Sequence, residues 1–300
     1  MPVVWLELPQ TLLELITSFL EPPGHGRFAQ ASSACSAAAV SSRRGVALVE
    51  LHRRLQIHSH EPVSVGDAIC GIVQDVTLQA DDAVRRNAFL DCRSLRSVTL
   101  PEGLREICDS AFCGCSSLAN VSLPSSVNRF GDKAFMNCTS LTSIDLPAEL
   151  RFEPRYIGTD DGTDILDFNN PSQIFAGCTS LTTVTFTDDP FCVPDHMFDG
   201  CISLVSLALP EDTKMIYQAA FRGCSSLTSI RIPNSVAIIS KDAFRGCSSL
   251  TSVVFPSAGH KPHLGLAAFY SCPSLDAPSR EAIRAINANA FTSSFPAAFM

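Results

Sequence analysis

Eight cysteines occupy one position of a repeat, and that repeat governs what this chain can fold into. Cys92, Cys115, Cys138, Cys178, Cys201, Cys224, Cys247 and Cys272 each follow a phenylalanine by three residues: Phe89, Phe112, Phe135, Phe175, Phe198, Phe221, Phe244 and Phe269. Each also precedes a leucine by three: Leu95, Leu118, Leu141, Leu181, Leu204, Leu227, Leu250 and Leu275. The interval is 23 residues between most neighbours, 25 at the last step and 40 between Cys138 and Cys178, where 17 residues are inserted. No unit of this length buries its own inner face. Stacked units bury each other's, and a solenoid results.

The composite unit reads A-F-x-x-C-x-S-L-x-x-[VI]-x-L-P-x-x-[VL]-x-x-I. Leu-x-x-[VI]-x-Leu predicts a short strand with its apolar side chains inward. Proline closes it, because proline has no N–H to give a ladder. The [VL]-x-x-I step and the Ala-Phe pair return the chain along the back. Val76 and Leu78 fit a degenerate first strand, and Ile283, Ile286 and Phe291 fit a ninth unit that lacks the cysteine. Strands about 4.8 Å apart predict about nine coils, roughly 40 Å long, over 75–295. The phrase "AFRGCSSLTSIRIPNSV" (220–236) resembles the BspA-type leucine-rich repeat. That resemblance implies a solenoid offering an extended surface to other proteins.

Residues 1–55 do not carry the repeat. Leu12, Leu13, Leu15, Ile16, Phe19 and Leu20 follow helical spacing between Pro9 and Pro22-Pro23-Gly24. Two further segments, 27–42 and 46–55, read as helices, and 56–74 as a linker or cap. Leu8, Pro9, Leu12, Leu13, Ile16 and Leu20 resemble an F-box, a helical module that docks on the Skp-type adaptor of a cullin ubiquitin ligase. With it the fold class reads as α+β: a helical F-box-like segment followed by the solenoid. The other reading makes the same helices a cap over the first coil.

Composition narrows the function. The net charge of −8 argues against nucleic acid, where basic patches dominate affinity. The start, "MPVVWLELPQ", lacks a basic n-region, and no apolar run reaches the length of a membrane span. Of thirteen cysteines, eight share the repeat position, where a small buried residue suits the turn. At about 4.8 Å their spacing exceeds the usual Cβ separation of a disulfide. They read as reduced thiols, which points to a cytoplasmic or nuclear protein.

No catalytic, cofactor or metal site is expected. His260 and His263, like His58 and His60, lack further ligands nearby, and no phosphate-binding or hydrolase motif occurs. The insertion, about 151–172, carries Tyr156, Asp160, Asp161, Asp164 and Phe168, which would attract a basic partner. The outward strand positions are mostly Ser and Thr, and Arg231 alone is of a type enriched in binding hot spots. The function expected is a non-catalytic, monomeric interaction protein: an F-box subunit that selects substrates, or a leucine-rich-repeat scaffold without a ubiquitin role.

Overall fold

The computed structural model describes residues 75–78, 83–147, 150, 171–186, 192–256 and 261–292, with the backbone of 155–158 and 164–167. The described chain is a stack of short parallel strands on two sides, joined by turns. The first ladder carries the Leu-x-x-[VI]-x-Leu motif: β1 (Asp75–Thr77), β3 (Ser97–Thr99), β5 (Asn120–Ser122), β7 (Ser143–Leu146), β10 (Thr183–Phe186), β13 (Ser229–Arg231) and β15 (Ser252–Val254). Its register is one coil per step, Val76 against Val98 against Val121 and Ile230 against Val253. Alternation gives each strand a buried residue flanked by exposed ones, as the period of two demands.

The return path is a second parallel ladder. It comprises two separately paired groups, β2 (Ala83–Val84), β4 (Glu106–Ile107) and β6 (Arg129–Phe130) before the insertion, and β11 (Cys192–Val193), β12 (Met215–Ile216), β14 (Ile238–Ile239) and β16 (His263–Leu264) after it. The isoleucine of [VL]-x-x-I lies in it, so Ile107, Ile216 and Ile239 are fully buried. Sequence periodicity does not distinguish a two-residue strand from a turn, because two residues show no alternation.

Between the ladders runs a stack of phenylalanines. Neighbouring rings from Phe89 to Phe269 lie 5.1–5.8 Å apart and within 17° of parallel. Eight stacked rings bound about seven turns. Phe112, Phe221 and Phe244 are fully buried, together with Leu118, Leu227 and Leu250.

The cysteines do more than fill space. The Cys224 thiol donates to the Phe198 carbonyl one coil back (3.2 Å), Cys247 donates to Phe221 (3.2 Å) and Cys115 to Phe89 (3.0 Å). The same Phe221 carbonyl also accepts the Cys224 N–H (3.2 Å), so both of its lone pairs are used. Burial pushes the Cys224 and Cys247 thiols up, and Cys178 to about 12, so these three stay protonated donors at any physiological pH. A buried alanine would leave that second lone pair unused.

Two expectations need correction. The fold is a β-solenoid, not α+β. Among the described residues there is one α-helix, α1 (Ala277–Ile286), and it lies at the far end of the solenoid. Both halves of the unit form parallel strands, which leaves no room for helices in the body of the stack. The helices expected over 1–55 lie outside the described residues. About nine coils is also too many, since the stack makes about seven turns. The ninth unit is half a coil: the Phe269 N–H reaches the Ala290 carbonyl (2.8 Å) as in every other turn, but α1 replaces its strand.

That replacement closes the solenoid. Asp276 caps α1 by accepting the Ser279 N–H (2.8 Å), and Pro278 suits the first turn. The Ser279 hydroxyl then accepts the Val253 N–H (3.0 Å) at the edge of the last strand. On the return side the Asn287 amide donates to the Leu264 carbonyl (2.7 Å). Both edge strands thereby lose groups on which another chain could pair.

Among the described residues, the Thr213 hydroxyl is buried without a hydrogen-bond partner. Thr213 is fully inside, at the position held elsewhere by Leu104, Val127, Leu150 and Val236. Thr213→Val keeps the shape and removes the orphan. It should stabilise by about 1–2 kcal/mol, raising the melting temperature by about 2–4 °C. A calorimetric scan in which the midpoint falls would contradict this.

Candidate functional site

One surface a partner could read is the outward side of the first ladder. Ser97, Asn120, Ser143, Thr183, Ser206 and Ser229 form one exposed row. Thr99, Ser122, Asp145, Thr185, Ala208, Arg231 and Val254 form the next. Many hydroxyls here are spent on the stack itself. Thr182 donates to the Thr142 carbonyl (3.0 Å), Thr251 to the Thr228 carbonyl (2.9 Å) and Ser97 to the Asp75 carboxylate (2.6 Å).

Arg231 is exposed on this face, where the repeat places it, but it is not a free cation. Its guanidinium pairs with the Glu211 carboxylate of the previous coil. Both side chains are about two-thirds exposed, so the pair contributes little to stability. Sequence reasoning missed Glu211, since an offset of 20 residues matches no repeat signal. It also missed Ile202 and Val205, which are 47% exposed. The signal was present: the same columns carry Thr179 and Ser225, and Thr182 and Thr228, in the neighbouring coils.

A charged cluster lies along the turns. Arg222 grips Asp199 with two N–H groups, its Nε at 2.9 Å, while His196 Nδ1 lies 2.9 Å from the other carboxylate oxygen. Hydrogen bonding to Asp199 pushes the Arg222 guanidinium up. Arg245 lies over the Tyr270 ring, 5.2 Å from its centre. Asp199 binds two neighbours, one of them in the next coil, so the cluster ties coils together. Among the described residues, no three His, Cys, Asp or Glu side chains gather as a metal would require.

The insertion is more ordered than a plain loop. β8 (Arg155–Gly158) and β9 (Asp164–Asp167) pair antiparallel, with Tyr156 opposite Leu166 and Asp164 opposite Gly158. Asp160, Asp161 and Phe168 lie outside the described residues, as do Leu8, Pro9, Leu12, Leu13, Ile16 and Leu20. The structure therefore brings together the repeat residues, places Arg231 on the strand face and leaves the F-box positions without a description.

Residues 74–157 and 170–296 match the model of the BspA-type leucine-rich repeat region, in six copies. The chain belongs to that family. The match begins at residue 74 and gives the F-box resemblance of the preceding segment no support. Similar solved structures are bacterial leucine-rich repeat proteins. The one from T. pallidum is 26% identical over 72% of this chain and 78% of its own, with a TM-score of 0.44. That from Bacteroides ovatus is 23% identical, covering 71% and 81%, with a TM-score of 0.32. That from Eubacterium ventriosum is 18% identical, covering 66% and 59%, with a TM-score of 0.47. No curated protein matches.

Proposed function

We propose that this BspA-type repeat protein is a non-catalytic scaffold that binds a protein partner on its strand face. One observation carries the reading: the rows of exposed Ser, Thr and Asn at one-coil spacing, on the side of the solenoid that α1 and the return ladder leave uncovered. Phe, Leu, Ile and Cys of the repeat are spent on the core, so specificity falls to the outward residues. The cullin-ligase role is not part of the reading, because nothing found for residues 74–296 calls for an adaptor.

The acidic insertion is a second contact, for a basic patch of the same partner. Tyr156, Asp160, Asp161, Asp164 and Phe168 are its candidate residues. The reduced thiol column suits a cytoplasmic or nuclear setting. Photo-crosslinking in extract tests the reading. A benzophenone side chain at Ser122 or Ser229 on the strand face should trap one and the same protein. Placed at Gln218 or Lys241 on the turn side it should trap none. Equal trapping from both sides would overturn the reading.

A further inference from the structure

Coil-to-coil hydrogen bonds recur at the residue just after each repeat leucine. The N–H groups of Ala119, Thr142, Thr182, Thr228, Thr251 and Asp276 each reach the equivalent carbonyl of the preceding coil, at 2.8–3.3 Å. Val205 occupies the same position, and its N–H makes no such bond to Thr182. Its side chain adds to the gap. Thr142, Thr182, Thr228 and Thr251 also donate a hydroxyl backwards, and valine has none to give.

Three other observations fall at the same joint. β10 pairs with β7 alone and β13 with β15 alone, so residues 204–209 join neither side as a strand. The Phe175 and Phe198 rings, which lead into the two flanking segments, are 5.8 Å apart, the widest step of the stack. Ile202 and Val205 are exposed there, in columns otherwise kept by Ser, Thr, Ala, Arg or Pro, with Asp276 at the last. The back of the joint is closed: Cys192 pairs with Met215, Val193 with Ile216, and the Tyr217 N–H reaches the Val193 carbonyl (2.9 Å). The turn side is closed as well, where Phe175 N–H meets Met197 (2.9 Å) and the Cys201 thiol meets Phe175 (3.2 Å).

We infer that the solenoid carries a built-in hinge between residues 181–186 and 204–209, which opens on the strand face and pivots on the β11–β12 ladder. Among the described residues this joint is bonded on two sides and unbonded on the third, which gives it one direction in which to yield. Opening it changes the curvature of the strand face, and a partner that spans the joint would hold it in one setting. The hinge rests on backbone geometry and stands whether or not the strand face is the binding side.

Amide hydrogen exchange read residue by residue on the full chain tests it. In the wild type the Val205 amide should exchange at least about tenfold faster than those of Thr182 and Thr228, the factor expected from one absent hydrogen bond. Val205→Thr restores a hydroxyl facing the Thr182 carbonyl and should narrow that difference. Thr228→Val removes one at the next joint and should speed the Thr228 amide. Equal protection of Val205, Thr182 and Thr228 in the wild type would overturn the hinge, and that result needs no variant to fold. If exchange obeys the prediction while crosslinking from the strand face fails, the hinge survives and the binding reading falls.

Discussion

Replacing Phe221 by alanine should lower stability by about 3–5 kcal/mol. The ring lies between Phe198 at 5.5 Å and Phe244 at 5.1 Å, nearly parallel to both. Deleting it removes two stacking contacts, each worth about 0.5–1.5 kcal/mol beyond the area they bury. The hole cannot collapse. Phe221 N–H is tied to the Ala243 carbonyl and Phe198 N–H to the Ala220 carbonyl, both at 2.8 Å, which fixes the coil spacing from outside. In a stack where each coil contacts only its neighbours, the break also divides the cooperative unit. Urea unfolding should show a lower midpoint and a shallower slope, as the two halves melt apart. Phe221→Leu, which keeps most of the volume, should lose far less. A loss under about 1 kcal/mol for the alanine variant would mean that the stack is not the core.

What the sequence disclosed about the fold follows from that layer. Phe221, Cys224 and Leu227 recur at a fixed period, and a fixed period is what a stacked unit imposes on its own inward residues. The second ladder was hidden, because Ile216 and Ile239 show only as single isoleucines in strands two residues long. The role of the cysteine was half hidden. Spacing marks Cys224 as small and buried, but its bond to Phe198 runs 26 residues back, from the end of one turn to the start of another. The helical end was legible in part: Ile283, Ile286 and Phe291 do join the core, while the loss of the strand beside them follows from Asp276 and Pro278 starting a helix. The partner of Arg231 left no trace. Arg231 keeps its column, yet its partner Glu211 is chosen by reach across a coil and not by the repeat. The fold class was misread as α+β because helical spacing in residues 1–55 was added to the solenoid as a helical segment, when the body of the chain is sheet.

Steric contact between coils yields the second large effect. At Gly131 a Cβ would sit 2.2 Å from the Asp109 backbone nitrogen and 2.6 Å from the Cys108 carbonyl carbon. These are main-chain atoms of the coil below and cannot swing aside as a side chain would. Nor can the coils part freely, since the Gly131 N–H is bonded to the Ile107 carbonyl (2.7 Å) and the Asp132 N–H to the Asp109 carboxylate (2.9 Å). Gly131→Ala must therefore break one of those bonds or compress the contact, at a cost of about 3 kcal/mol or more. Gly265 faces the same obstacle, 2.4 Å from the Lys241 nitrogen. Other coils accommodate Cys108, Tyr217 and Ser240 at the equivalent place, so the close approach belongs to these two joints and not to the repeat. Gly103 separates the steric cause from the conformational one. Its φ is +90°, but no atom lies within 4 Å of a Cβ there. Gly103→Ala should cost only the backbone strain, about 1–2 kcal/mol. Chemical unfolding of the two variants side by side should place Gly131→Ala clearly lower. Equal losses would show that the coils slide apart at Gly131 without resistance, and that the Ile107 and Asp109 bonds do not hold them.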